Sequence, residues 1–116
     1  MNVVVLRGIL ARPAQHVELP SGSRLVSLEV TVRRESGPAE PVPVSWTDPP
    51  AWASTLDAGS EVVVLGRVRR RFFRSAGVTQ SRTEVVASRV VRASARSKVV
   101  AVLAEAAELL DAAVVD

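Results

Sequence analysis

Apolar and polar residues alternate most regularly between Arg24 and Arg33, where valine or leucine occupies every second position. Side chains with this spacing share one face of a β-strand, so we expect a half-buried strand here. The earlier run Asn2–Leu10 is largely apolar at consecutive positions, which predicts a strand covered on both faces, by the chain's own helix or by another subunit. A loop or short strand at 11–18 and a turn at Gly22 connect the two strands as a hairpin.

The pattern of Pro41–Trp46 is that of an extended segment. Its prolines place it at a sheet edge, because proline cannot donate a hydrogen bond to a neighbouring strand. Asp48 then precedes two prolines, as a helix-capping residue would. We expect a short helix from there to about Gly59, with the side chain of Trp52 packed against the core.

The segment Gly59–Arg74 begins as an apolar strand and ends as a basic one. In an extended chain its side chains alternate between two faces. One face suits a core and holds Val62, Val64, Gly66 and Val68, with Phe72 on the same side. The other face ends as a row of cations with a ring at the tip, and holds Val63, Leu65, Arg67, Arg69, Arg71 and Phe73.

A turn near Gly77 leads to a return strand over Thr79–Val91, and a terminal helix is predicted over Ser97–Val114. The apolar stripe of the helix holds Val99, Leu103, Ala106 and Leu110, widened by Val102 and Leu109. Basic residues at its start and acidic residues near its end oppose the helix dipole. Packing must therefore hold this helix in place.

The order of these elements predicts an all-β fold. Three strands, a short helix, two strands and a terminal helix match a five-stranded OB-fold Greek-key barrel with a short helix between strands 3 and 4 and an added C-terminal α-helix. We expect two parts, an OB-fold nucleic-acid-binding domain at 1–94 and a C-terminal helical extension at 95–116.

Charge is distributed unevenly along the 116 residues. Residues 61–98 hold ten basic groups and two acidic ones, a net charge of +8. Residues 1–60 have a net charge of −1 and residues 99–116 a net charge of −4, so the whole chain is only +3. The basic middle indicates a polyanion as the partner.

The composition of the chain argues against several classes of function. The chain has no cysteine and a single histidine, His16, so we expect no metal site and no cofactor. No nucleophile–base pair or phosphate-binding loop is evident, and we expect neither an enzyme nor a small-molecule substrate. Without a signal peptide or a membrane span in the sequence, we expect a cytoplasmic, nucleoid-associated protein that does not bind membranes.

The basic row on Gly59–Arg74 is typical of proteins that hold single-stranded nucleic acid, because phosphates meet arginines and bases stack on rings. Phosphate contact is expected from Arg67, Arg69 and Arg71, and base stacking from Phe73. Further contacts are expected from Arg33, Arg34, Arg74 and Arg82. The alternative is a solvated strand whose arginines keep a sheet edge soluble.

Residues 2–92 resemble the bacterial single-stranded DNA-binding proteins. The matching pieces, in order, are Asn2–Val4 with Arg7 and Gly8, Pro20–Gly22, Leu56 with Gly59–Val62, Gly66–Arg69, and Arg82–Val86. The resemblance implies an OB-fold that binds single-stranded DNA with little sequence preference, in replication, repair or recombination. It also implies a homodimer or homotetramer associated through the first strand, at Val3 and Val5. Base-stacking positions of that family match Phe73 and Trp46, although Trp46 could instead cover the barrel mouth.

The chain departs from that family at three places. The tryptophan that usually ends the second strand is replaced within Arg33–Glu35, and another is missing at Glu40 or Pro41. A helix stands where the family has a flexible linker with an acidic tip, as in a divergent or short paralogue. An alternative function is therefore an OB-fold interaction or scaffold module that has lost tight nucleic-acid binding.

Overall fold

The computed structural model describes residues 1–115 of the chain. Its elements are β1 (Val4–Leu10), β2 (Gln15–Glu18), β3 (Arg24–Val32), β4 (Glu40–Thr47), a 3₁₀ helix (Ala51–Thr55), β5 (Glu61–Ser75), β6 (Val78–Arg92) and α1 (Arg96–Val115). Asp116, the last residue of the predicted helical extension, lies outside the described part.

Five strands close into a barrel. β1 pairs antiparallel with both β3 and β5, β3 pairs with β4, and β5 pairs with β6. A parallel contact between β4 and β6 completes the ring, and β2 pairs with β3 next to β1. The predicted OB-fold barrel with its short helix and its added C-terminal helix is confirmed.

The interior of the barrel is filled by the alternating face of each strand. Branched aliphatic side chains dominate because they suit a pleated, half-buried surface. The fully enclosed members include Leu10, Val26, Val30, Val62 and Val64.

A second core lies outside the barrel, between α1 and the outward face of the β1–β5–β6 sheet. Val63 and Leu65 of β5 are buried there against Val102 and Ala106 of α1. The alternation of β5 was thus predicted correctly as far as Gly66, and α1 covers the apolar half of its outward face. Val3 also packs into this core from one side. Val68, which was expected to face the core, is 43% exposed.

Two local predictions were wrong. β4 is an edge strand only at its start, because β6 pairs with its later residues 44–46, after the prolines. Asp48 does not cap a helix: its carboxylate accepts a hydrogen bond of 3.0 Å from the backbone N–H of Arg24. The short helix is a 3₁₀ turn that starts after Pro50 without a side-chain cap.

β5 and β6 extend beyond the barrel as a two-stranded arm, which we define as residues 69–84. The ladder slips by one residue at its base, where Gly66 faces Ala87 and Ser88 is left over as a bulge. A Cβ atom at Gly66 would collide with the carbonyl oxygen of Val86, so glycine is required there. Asn2 closes the end of the β1–β5 ladder with hydrogen bonds of 2.8 and 2.9 Å to the backbone of Val68.

Candidate nucleic-acid interface

A groove of about 270 Å³ lies between the outward faces of β3 and β4 and the base of the arm. Its floor consists of small polar and apolar side chains, whereas its wall on the arm is charged. The floor holds Leu19, Leu25, Ser27, Leu28, Pro43, Val44, Ser45 and Thr47, and the wall holds Arg69, Arg71, Arg82 and Glu84.

An ion-paired cluster forms the wall of the groove. Glu84, whose side chain is only 7% exposed, accepts a hydrogen bond of 2.6 Å from Arg69 and lies 3.9 Å from the Nε atom of Arg71. The Nε atom of Arg69 is itself buried without a hydrogen-bond partner among the described residues. Glu84 therefore compensates much of the positive charge of Arg69, and less of the positive charge of Arg71.

Arg71 and Arg82 are direct neighbours across the β5–β6 ladder, so their side chains share the face that lines the groove. Like charges at such a position repel each other, and an anion bound between them would relieve that repulsion. Arg82 also lines a second concavity, together with Ser27, Arg12 and Gln15. The groove thus continues along β3 past Arg82.

The two phenylalanines of the arm point to opposite faces, as consecutive strand residues do. Phe73 shares the face of Arg71 and is 39% exposed. Phe72 was expected in the core, but it is 67% exposed, because the arm projects past the barrel and leaves no core beneath it. The guanidinium of Arg70 lies 5.9 Å from the ring centroid of Phe72.

Trp46 does not reach the groove. The residue is 5% exposed and packs in the barrel core, edge-on to Trp52 with ring centroids 5.7 Å apart. The little of Trp46 that is exposed lines a separate cavity with Trp52 and Arg89, so the residue offers almost no surface on which a base could stack. The expectation that Trp52 packs on the core is met, since it is half-buried against that cluster.

The remaining predicted arginines are spread over the surface. Arg67 lies beside α1, near Leu109. Arg33 lines a separate concavity with Arg7, and Arg34 is paired with Glu40 at 3.4 Å. Arg74 donates a hydrogen bond of 3.1 Å to the carbonyl oxygen of Gly77 at the arm tip. The groove therefore unites Arg69, Arg71 and Arg82, but not these four.

Neither the floor of the groove nor its acidic group was predicted from the sequence. Ser27, Ser45 and Thr47 occupy the outward positions of β3 and β4, and this alternation was the signal that could have identified them. Glu84 gave no such signal, because its burial depends on two arginines of the neighbouring strand.

Residues 1–115 contain no cluster of histidine, aspartate or glutamate side chains that could hold a metal ion. Within the same range, no helix has the length and hydropathy needed to cross a membrane.

Comparison with known proteins identifies the class of this barrel. No family model and no curated protein matches the chain. Among solved structures, the single-stranded DNA-binding protein of Thermus aquaticus matches with a TM-score of 0.66 and 28% sequence identity. A deletion mutant of that protein matches with the same TM-score and 29% identity. Each match covers 79% of this chain and 40% of the Thermus chain.

The barrel with its protruding arm is therefore an OB-fold similar to that of the Thermus protein. More specifically, the chain has the OB-fold of the bacterial single-stranded DNA-binding protein family, and the resemblance seen in the sequence is confirmed. The chain spans about 40% of the length of the solved structures that it matches.

Proposed function

We propose that this chain binds single-stranded DNA in the groove at the base of the arm, without catalysis and with little preference for sequence. The observation that carries the proposal is the side-by-side placement of Arg71 and Arg82 over a floor of hydroxyl and apolar groups. The likeness to the Thermus single-stranded DNA-binding protein supports it.

The groove separates the two chemistries of a nucleic-acid strand. Phosphates would contact Arg71 and Arg82, while sugars and bases would lie on the floor near Leu25 and Pro43. Such phosphate contacts carry no sequence information. The floor has too few polar groups to distinguish all four bases. Binding is therefore expected to depend on the DNA backbone and on base stacking.

Phe73 would stack a base at the outer end of the groove, a contact worth about 1–3 kcal/mol. Arg69 and Arg74, which already have partners in the protein, would contribute less. Arg67, Arg33 and Arg34 lie away from the groove, and we propose contacts for them only with strands longer than the groove. A role in DNA replication, repair or recombination follows from this activity as part of the proposal.

Association of copies would use the outward side of β1. Val5 is 41% exposed, next to the buried Leu65 of the neighbouring strand, whereas Val3 is partly covered by the core under α1. Of the two predicted interface residues, Val5 is thus the more available. A homodimer or homotetramer built on this side remains a prediction.

One observation favours a second function, that of a protein-interaction module. With Trp46 buried and Arg69 paired to Glu84, the groove at the arm has no ring among its lining residues. An OB-fold with weak nucleic-acid contacts would fit a scaffold role.

Fluorescence anisotropy of labelled oligo-dT, titrated with protein at several salt concentrations, separates the two functions. DNA binding predicts saturation, with log affinity falling by about 0.7 per contacted phosphate for each tenfold rise in salt. Arg71→Ala and Arg82→Ala should each weaken binding and reduce this slope, whereas Arg34→Ala, remote from the groove, should leave a short oligonucleotide unaffected. Equal losses from all three variants would contradict the groove, and no binding at about 50 mM salt would favour the scaffold module. Oligo-U in parallel tests RNA against DNA.

A further inference from the structure

A cavity of about 460 Å³ lies between the end of β4, the 3₁₀ helix, β6 and the start of α1. We call it the Trp52 cavity. Its lining includes Trp52 of the 3₁₀ helix, Arg89 of β6 and Lys98 of α1. Its volume is within the range of about 300–1,000 Å³ that is usual for sites of small organic groups. None of the DNA contacts proposed above lies in this cavity.

The Trp52 cavity adjoins the groove. Thr47 lines both, at the end of β4. At the other end of the groove, Ser27 and Arg82 also line the concavity that continues along β3. Three concavities therefore follow one another across the outside of the barrel. One OB-fold contacts about 4–16 nucleotides of a strand, so a strand in the groove is expected to extend into its neighbours.

Trp52 brings a half-buried, firmly held ring to this cavity. The guanidinium of Arg92, which is outside the lining, lies 5.9 Å from the ring centroid. Arg92 is itself held by hydrogen bonds of 2.7 and 3.3 Å to Thr55. Trp46 packs edge-on against the same ring. The part of Trp52 that faces the cavity is thus a fixed aromatic surface, on which a base can stack. The groove has no such ring.

Lys98 is the cation of the cavity that is best placed to contact a phosphate. Arg89 is paired with Glu105 at 3.1 Å, whereas Lys98 forms no ion pair within residues 1–115. Lys98 lies in the first turn of α1, where the helix dipole disfavours a cation and favours an anion. A phosphate beside Lys98 would therefore be attracted by the side chain and by the helix.

Asp48 determines which part of a nucleotide fits on the opposite side of the cavity. Its carboxylate accepts a hydrogen bond of 3.0 Å from the backbone N–H of Arg24, and its own N–H donates one of 2.8 Å to the carbonyl oxygen of Arg24. A carboxylate repels phosphate, but it accepts hydrogen bonds from the amino group of cytosine, adenine or guanine. Thymine has no amino group. A base that carries one is therefore favoured beside Asp48.

We propose that a strand bound in the groove passes Thr47 and places one nucleotide in the Trp52 cavity. The base lies against Trp52, the phosphate contacts Lys98, and an amino group of the base donates to Asp48. This inference rests on the proposed function, because the strand must also occupy the groove. It adds a local preference for bases with an amino group, and it gives α1 a part in DNA binding.

The emission of Trp52 tests whether a base enters the cavity. In a Trp46→Phe variant, Trp52 is the only tryptophan. Oligo-dC of about sixteen nucleotides should quench its emission saturably, whereas an oligo-dC of about four nucleotides, which the groove alone can hold, should quench it little. Anisotropy confirms that the oligonucleotide is bound, and urea unfolding confirms the fold. Bound long oligo-dC that leaves the emission unchanged would overturn the proposal.

Lys98→Ala tests the phosphate contact and needs no change to either tryptophan. It should weaken binding of the long oligo-dC by about three- to tenfold and reduce the salt slope by about 0.7, without an effect on the short one. Arg96→Ala is the matched control, since Arg96 lies in the same turn of α1 but outside the lining. Equal losses in the two variants would show only a general effect of charge and would contradict the contact.

Asp48→Asn tests the preference among bases. Asparagine keeps an acceptor for the N–H of Arg24 and tolerates the positive φ of 48° at this position. The wild type should bind long oligo-dC about two- to fivefold more tightly than oligo-dT of equal length, and the variant should lose this preference. A preference that persists in Asp48→Asn would refute the role of Asp48.

Two further measurements separate this inference from its alternatives. Saturable quenching of Trp52 by deoxycytidine monophosphate, with long oligo-dC binding unaffected by Lys98→Ala, would assign the cavity to free nucleotides and overturn the path of the strand. Arg71→Ala distinguishes the cavity from the groove. Loss of binding in Arg71→Ala but not in Lys98→Ala would refute the cavity alone, whereas no binding of any oligonucleotide by the wild type would refute the proposed function itself.

Discussion

The guanidinium of Arg69 donates a hydrogen bond of 2.6 Å to the buried carboxylate of Glu84, on the neighbouring strand at the wall of the groove. The same oxygen lies 3.9 Å from Arg71. One acidic group thus contacts two of the arginines that line the groove. It orders them and reduces the positive potential that they present.

Replacement of Glu84 by glutamine should strengthen binding to single-stranded DNA. The amide keeps the shape and a hydrogen-bond acceptor for Arg69, but it removes the negative charge that repels phosphate. We expect about a three- to tenfold gain in oligo-dT affinity at low salt and a steeper salt dependence, by up to about 0.7 in slope. The affinity is measured by anisotropy and the fold by urea unfolding. Glu61→Gln, which breaks the surface pair with Arg7, is the control. Weaker binding in a folded Glu84→Gln variant would show that the ordering of Arg69 outweighs its neutralisation.

Phe73 and Phe72 form a matched pair for testing base stacking, because they are adjacent in sequence but point to opposite faces of the arm. Phe73→Ala should lower the affinity for oligo-dT by about 1–3 kcal/mol, and Phe72→Ala by much less. Neither change should lower the melting temperature by more than a few degrees, since both rings are substantially exposed. If Phe72→Ala has the larger effect on binding, the strand follows the other face of the arm.

Trp46→Ala should destabilise the barrel by about 3–5 kcal/mol, because it removes a large enclosed ring and leaves a cavity against Trp52. The loss is measured by urea or thermal unfolding. In a Trp52→Phe variant, the tryptophan emission reports Trp46 alone and should change little when oligo-dT binds, since Trp46 is away from the groove. Strong quenching of this emission by short oligo-dT would contradict the placement of Trp46.

Gly66→Ala should be among the most damaging single substitutions in the barrel. The added methyl group would meet the carbonyl oxygen of Val86 at the bulge, and a backbone contact cannot give way as a side chain does. We expect a loss of more than about 2 kcal/mol in unfolding free energy. Gly22→Ala, in an open turn with a φ of +90°, should cost only about 1 kcal/mol from backbone strain. Equal losses at the two sites would argue against the close contact at Gly66.

Alternation along single strands was sufficient to predict most of the barrel. The pattern from Arg24 to Arg33 and the two faces of β5 up to Gly66 were identified correctly, because each depends only on the local period of two residues. The terminal helix was also predicted within one residue at each end. Which flank of α1 packs on the sheet could not be predicted, since Leu103 and Val102 are equally apolar and only the barrel distinguishes them.

The site was less accessible to sequence reasoning than the fold. Alternation assigns a residue to a face but does not show whether a core lies beneath it, and Phe72 was misplaced for that reason. Trp46 matched a stacking position in the family, yet an inward position on β4 buries it. Glu84 acquired its place in the groove from a pairing register that joins residues 15 positions apart.

The outward side of β1, where copies of the chain would associate, shares no residue with the lining of the groove. A pair of chains joined there would therefore leave both grooves open to one strand of DNA. Once one groove has captured the strand, the other would act on a tethered segment at a high local concentration, and such tethering can raise avidity by roughly 10²–10⁴ without a new contact. Weak binding by each groove would in this way give a complex of two chains that dissociates slowly from DNA.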